Sequence, residues 1–346
     1  RTFLRVPFNQ SFYKKTAYLH RLPNYCYSAP DKSDTPLGWR GRLYTYMFGC
    51  NALYNDKQVL LGNGFCAPSP SNPEFQPKFD VSAFLTHKTN LPHIWQHFPL
   101  EVAGGMCMVH DFFKMTNLTY LLIDFHGNPG LQFWEKSIGF KPNTIDWNPL
   151  PSCYKEAFML TITPQRPWHP IEYQAFADAI DNNRPKPKPV LKKIIVWMSR
   201  RTATSRNVTN EGEILDTINR FIDTYNMDLE IFDFIGERDA KDGDKLYDIF
   251  RRASVVIGPH GAAWGYALSL AKPGTCFIEI CYGKTQNFKS WWYGGWAQGQ
   301  QGRYPYYFAA RYRNETAEVN DIWYALVDFF GVKTIDNYKC IPLYDL

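Results

Sequence analysis

The sequence predicts an α/β protein in two parts, the second a parallel sheet of Rossmann type. Three observations carry this. From Lys192 onward, short apolar runs alternate with helical patterns, as expected of successive parallel βα units. Within that half, Ala253–Ile280 (ASVVIGPHGAAWGYALSLAKPGTCFIEI) reads as strand, small-residue turn, helix and strand. Between the halves, Asn182–Val190 (NNRPKPKPV) interleaves three prolines with basic residues, which enforces an extended, helix-free link. The predicted domains are 1–184 and 185–346.

The elements follow in chain order. Residues 1–75, rich in Tyr, Pro, Asn and Gly, with Cys26, Cys50 and Cys66, read as an irregular region pinned by disulfides, and Pro68–Pro77 as a loop. Gly104-Gly105 opens a helix with apolar positions at Val109, Phe112, Phe113 and Leu118 and with His110 and Asp111 in its first turns. Leu121–Ile123 is a buried strand ending at Asp124-Phe125-His126-Gly127; polar groups at that end of a strand face the cleft of an open α/β sheet. A helix over Phe133–Ile138 and a strand over Cys153–Ile162 complete one α/β unit across residues 19–170. In the second half, Lys192–Met198 is a strand and Asn210–Tyr225 a helix, with Asn210 as cap and Glu213 at the capping-box position. Leu229–Phe234 is a strand and Lys245–Arg252 a helix. The opening stretch then supplies a strand over Ala253–Ile257, a helix over Trp264–Ala271 and a strand over Cys276–Ile280.

Composition narrows the class. The 346 residues suffice for two ordinary domains. They contain no apolar run of about 18 residues, so a soluble globular chain is expected. It begins at Arg1 without Met, which leaves room for a removed leader or membrane anchor. The net charge of +5 is spread, with no basic stripe interleaved with aromatics, so nucleic acid is not an expected partner. Of eight cysteines none forms C-x-x-C, against a zinc knuckle. The even count fits disulfides, although Cys107 and Cys276 lie in apolar runs and read equally as buried thiols. Asn-x-Ser/Thr sequons start at Asn9, Asn117, Asn207 and Asn314. Cysteines and sequons together point to the secretory pathway, in the ER or Golgi lumen.

The chemistry concentrates in two loops of the second half. In Gly258–Ala263 the turn His260-Gly261-Ala262-Ala263 has little side-chain bulk, so backbone N–H groups at the helix start can approach an anion. His260 can donate to a phosphate oxygen there, and Glu279 in the next strand could accept from ribose hydroxyls. Such turns also occur in α/β proteins that bind nothing. The second loop, Ser199-Arg200-Arg201-Thr202 with Arg206, Asn207 and Asn210, sets arginines between a strand end and a helix start, where they can grip a diphosphate. Alone it would read as a solvated basic loop; if the two strands are neighbours, the loops converge. Asp242-Gly-Asp244 imitates a metal-binding DxD but reads as a solvent-exposed loop in a charged run. His87, His93, His97 and His169 have no ligand spacing, and GxSxG, P-loop and HExxH are absent.

These segments resemble glycosyltransferase family 61. VWMSRRTATSRNVTNEGEIL is similar to its R-x4-R-x3-N loop, and IGPHGAAWGYALSLAKPGTCFIEI to its G-x-HGAG…E segment. MVHDFFKMTNLTYLLID and CYKEAF are similar to its histidine-containing helix and following strands, so the resemblance covers about residues 98–285. It implies a GT-B fold, two Rossmann-like domains facing across a cleft. It also implies an inverting, metal-independent transfer from a UDP-sugar to a hydroxyl of a glycan or glycoprotein. Carried over, Arg201, Arg206 and Asn210 match the first loop, with Thr202 beside them, His260–Ala263 the HGAG turn and Glu279 the acidic strand residue. Ala263-Trp264 stands where the family has Gly-Leu, and Lys114 where some relatives have an acidic residue. The general base is then His110 or Asp111, with Asp124 or His126 second. Xylose and N-acetylglucosamine are the first candidate sugars, with arabinose open; no cofactor beyond the donor is implied. The alternatives are a secreted carbohydrate-binding module, a catalytically degenerate family member, and a dehydrogenase, against which the missing G-x-G-x-x-G counts.

Overall fold

A computed structural model describes residues 4–5, 16–28, 52–54, 59–61, 76–85, 103–115, 117–122, 131–141, 143–146, 152–163, 170–184, 192–281 and 303–332. The chain divides into two compact units, Lys14–Arg184 and a second comprising Arg1–Tyr13 with Pro185–Leu346. Both are mixtures of helix and sheet.

In the second unit, strand β1 is Leu4–Arg5, followed far along the chain by β9 (Lys193–Ser199), α4 (Glu211–Thr224), β10 (Leu229–Ile235), α5 (Gly236–Asp239), α6 (Gly243–Arg252) and β11 (Ala253–Pro259). Then come α7 (Ala263–Leu270), β12 (Cys276–Cys281), β13 (Tyr307–Arg313), β14 (Thr316–Ala317) and α8 (Val319–Phe330). The strand order is β1-β13-β12-β11-β9-β10. The pairings from β10 through β13 are parallel, while β1 closes the edge antiparallel, with Leu4 opposite Ala309. The first residues, expected with the N-terminal half, therefore belong to this sheet.

Its central strands are apolar on both faces because helices cover both. Ile195, Trp197, Val255, Ile257, Ile278, Ile280 and Phe308 pack with Ile214, Ile218 and Phe221 of α4 and Ile322, Ala325 and Leu326 of α8. On the opposite face Trp264 of α7 lies 5.9 Å from Phe277, and Phe250 of α6 lies 5.4 Å from Phe234. Burial of each such side chain is worth about 1.5–3 kcal/mol. The turn Asp242-Gly243-Asp244 is a helix cap: the Asp242 carboxylate accepts from the backbone N–H groups of Asp244 and Lys245. At α4 the expected capping box does not form. Asn210 occupies the cap position, but its amide spans to β14, accepting from Ala317 N–H and donating to Ala317 C=O, both at 2.9 Å.

The other unit carries a sheet of order β4-β3-β2-β8-β5-β6-β7. Its strands are β2 (Thr16–Ser28), β3 (Ala52–Tyr54), β4 (Val59–Leu61), β5 (Gln76–Leu85), β6 (Thr119–Leu122), β7 (Asn143–Asp146) and β8 (Ser152–Thr163). The region expected to be irregular thus contains β2, which pairs antiparallel with β8 from Thr16↔Thr163 to Tyr27↔Ser152. From β8 through β5 and β6 to β7 the pairing is parallel.

Its helices are α1 (Gly104–Cys107), continued by a π-helical turn over Met108–Phe112, α2 (Leu131–Ile138) and α3 (Pro170–Asn183). Gly104 lies against the backbone of Glu172 in α3, where a Cβ has no room. Helix α3 runs into the stretch expected to be linker. Beyond it Arg184 is buried, donating to Ser137 Oγ at 2.9 Å and stacking on Phe133. Cys107 and Cys276 are buried free thiols and Cys281 is free and half-buried. Among the described residues, no helix is long and apolar enough to cross a membrane.

Candidate functional site

Sheet topology creates the site. Taken from β9 onward the parallel strands run 2-1-3-4-5, and the direction of winding reverses between β9 and β11. Ligands of open α/β sheets bind beyond the carboxyl ends of the strands at such a switch point. Ile257 pairs with Trp197, so the loop after Ser199 and the turn after Pro259 emerge side by side. The two loops singled out from sequence come from adjacent strands.

Their contact runs through Arg200. Its Nε and Nη2 donate to the Ser205 carbonyl at 3.1 and 3.0 Å, closing the loop on itself. Its Nη1 lies over Gly261, in the space a side chain there would take. Arg201 is turned the other way, bridging Glu211 at 2.8 Å and Asp233. The Thr202 hydroxyl donates to Glu237 at 2.7 Å, which is the main reason the Glu237 carboxyl lies below its ordinary range. Arg206 sits in the left-handed region at φ 60°, half-buried, with no side-chain partner among the described residues. An unpaired arginine in a strained backbone position is a candidate ligand contact. Asn210, with its amide on Ala317 and Glu213, shapes the loop from behind.

The turn after β11 is fixed from below. Gly258 pairs with Glu279 of β12, and a Cβ on it would lie 2.7 Å from Met198 Cβ and 3.0 Å from the Met198 carbonyl. The His260 N–H donates to Ile280 C=O at 3.1 Å. Its Nδ1 lies 2.5 Å from Glu279 Oε1. The other oxygen of Glu279 accepts from the Tyr307 hydroxyl of β13. The carboxylate expected to face a ribose is thus 1% exposed, with both oxygens engaged. Burial raises its pKa, against the pull of His260. Ala262 is exposed and Ala263 half-buried, opening α7, while the Trp264 indole N–H donates down to Pro259 C=O at 3.0 Å. The bulk that replaces the family's Leu therefore sits beneath the turn.

The candidate bases lie in the other unit. His110 and Asp111 occupy the π-helical turn after α1, a local geometry frequent at functional sites. His110 Nδ1 is 2.6 Å from Asp111 Oδ1, and its ring stacks on Phe140 at 3.9 Å and 6°. Asp111 is exposed and His110 half-buried. Lys114, at φ 59°, follows the turn. Asp124 and His126 lie outside the described residues.

Sequence reasoning gave no individual role to two residues that hold these elements together. Arg200 precedes the matched arginine; the signal available was Gly261, whose missing side chain makes room for it. Tyr307 lies 28 residues beyond Glu279, and no local pattern links them. Among the described residues no group of His, Cys, Asp or Glu is placed to hold a metal ion.

The sequence model of the glycosyltransferase 61 family matches residues 95–278, more than half of the 346 residues. The match takes in the loop after β9, the turn after β11 and the His110 turn and stops one residue short of Glu279. No curated protein matches the chain.

Proposed function

The chain belongs to glycosyltransferase family 61 and is a glycosyltransferase, and we propose that it moves a sugar from a UDP-linked donor to a hydroxyl of a glycan or glycoprotein. The proposed enzyme is of GT-B type, inverting and metal-independent, and works in the ER or Golgi lumen. The second unit takes the donor and the first the acceptor, with xylose or N-acetylglucosamine as the sugar. One observation supports the donor site above the others: the arginine loop and the small-residue turn meet at the switch point of the sheet.

In an inverting transfer the acceptor oxygen attacks the anomeric carbon as the bond to the diphosphate breaks, so negative charge grows on the leaving phosphate. Arg206, Arg200 and the N-terminus of α7 are the groups that answer that charge here. The proton of the attacking hydroxyl goes to His110 of the first unit. Asp111, at His110 Nδ1, orients the ring so that Nε2 accepts it.

The test is thermal unfolding against a nucleotide panel with and without EDTA. A ligand bound only by the native state adds about 2.7 kcal/mol at a hundred times its Kd. UDP is expected to raise Tm, equally in EDTA, and to lose the effect in Arg206→Ala. A rise with NAD and none with UDP would overturn the reading.

A further inference from the structure

Two of the four sequons fall on described residues of the second unit, at Asn207 and Asn314, and the fold treats them oppositely. Asn314 and Glu315 form the two-residue loop of the β13–β14 hairpin, between the paired residues Arg313 and Thr316. Both have positive φ, 47° and 63°, as a tight turn matched to the twist of its strands requires. Asparagine enters that region several-fold more readily than most residues. Arg313 to Thr316 are all exposed, and the Thr316 hydroxyl is held locally, donating to the Arg313 carbonyl at 2.6 Å. Asn207 is the reverse case. Its Nδ2 donates to the Ala203 carbonyl at 2.7 Å, its own carbonyl accepts from the Tyr312 hydroxyl at 2.9 Å, and its Oδ1 is buried. Val208 packs in the core, and the Thr209 hydroxyl donates to the Glu315 carbonyl at 2.9 Å. The hairpin that displays one sequon clamps the other.

We propose that Asn314 carries an N-linked glycan and that Asn207 stays bare in the folded protein. The inference rests on the secretory placement proposed above. The reaction is that of an oligosaccharyltransferase acting on a lipid-diphosphate-linked oligosaccharide. A bond forms between Asn314 Nδ2 and the anomeric carbon, and the Nδ2 proton leaves. The bond from that carbon to the diphosphate breaks, its electron pair departing with the lipid diphosphate. A glycan is bulky and hydrophilic and needs a surface position. The tip of the hairpin provides one, and the Glu315 carbonyl that holds Thr209 is left in place. At Asn207 the amide nitrogen is tied to Ala203 and the amide oxygen is buried. A glycan fits there only if the loop after β9 leaves the hairpin and takes Arg206, the preceding residue, with it.

The experiment expresses the chain behind a cleavable signal peptide in human cells, which takes the localisation reading out of the test. Folded protein recovered by size exclusion is digested with peptide-N-glycosidase F in H₂¹⁸O and mapped by mass spectrometry. The enzyme leaves an ¹⁸O-labelled aspartate wherever an asparagine held a glycan. Label at Asn314 in most molecules and none at Asn207 is expected. Asn314→Asp, which keeps a residue that tolerates left-handed backbone, should lose one glycan by gel mobility, and Thr316→Ser should keep it. Thr209→Ala deletes the other sequon and should leave the glycan mass unchanged. Unlabelled Asn314, label at Asn207 in the folded fraction, or a loss of glycan mass in Thr209→Ala would overturn the assignment. The secretory reading is tested apart: the natural full-length protein should resist added protease in intact microsomes. Digestion there, with the expected labelling in human cells, would remove that reading and leave the ranking of the two sequons intact.

Discussion

The loop after β9 and the turn after β11 meet at one site but are held by different means. The loop is tied by ion pairs and hydrogen bonds near solvent: Arg201 to Glu211 and Asp233, Thr202 to Glu237, Arg200 to its own backbone. The turn is tied from beneath: His260 to Glu279 of β12, Glu279 in turn to Tyr307 of β13, and Gly258 close against Met198 of β9. Exposed pairs of the first kind are worth about 0–1 kcal/mol each, whereas an orphaned buried polar group costs about 1–3 kcal/mol. In the proposed donor site the turn is therefore the preformed part, and the loop is the part that can adjust to what sits in it.

The comparison can be broken at several points. Glu279→Ala should have the largest effect, since it orphans the Tyr307 hydroxyl and His260 Nδ1 and leaves a cavity. A loss of about 3 kcal/mol or more is expected in urea unfolding. Gly258→Ala should follow at about 1–3 kcal/mol, because the new Cβ meets a neighbouring strand's backbone and Cβ. Gly261→Ala, three residues on, displaces only the end of a flexible arginine. It should leave the urea midpoint almost unchanged while weakening UDP in calorimetry. Equal stability losses for the two glycines would refute the division. On the loop, Arg206→Ala should cost UDP affinity about tenfold or more with stability intact, and Arg201→Ala less, its charge being already paired.

The smallest difference is in pH dependence. Glu279 has a raised pKa because it is buried, so its contribution to stability is full below its unfolded pKa and is lost as pH rises through the folded value. Asp239 is the opposite case. Burial would raise it, but Arg238, the Ile235 N–H and Lys245 together bring it below its ordinary range. Glu237 is lowered as well, first by Thr202. Those two contribute above their unfolded pKa and lose the contribution as pH falls through the folded one. Urea midpoints between about pH 3 and 8 should show Asp239→Asn flattening the acid-side decline and Glu279→Gln flattening the opposite slope.

The same contrast explains what could be read in advance. The strands β9, β11 and β12 were legible to within one or two residues because parallel strands buried on both faces write largely apolar runs; β10, at the sheet edge, was as legible although Glu230 and Asp233 interrupt it. Strand β2 was not, since Pro23 interrupts it and its aromatics alternate with polar residues. Helix α3 hid behind the prolines that follow it, although Pro170 at its first turn and the spacing of Phe176, Ala179 and Ile180 announce it. In the site, small residues and arginines pointed to the two loops. The partners of those residues depend on pairing between strands far apart in sequence: Asn210 with Ala317, Glu279 with Tyr307. The π-helical turn that carries His110 has no marker in its residue types.

Strand β1 sets an order of events. Arg5 pairs with Phe308, so once β1 is synthesised it waits for roughly 300 more residues before its partner strand exists. At about 5–20 residues per second that is about 15–60 s. Throughout that time the sheet edge that β1 will occupy is unmade, and afterwards it stays open until β1 returns. An open edge invites pairing with other chains. Strand β1 thus works as a late closing stitch, and a chain cut at the boundary between the units would keep both loops of the proposed donor site while exposing the flank of β13.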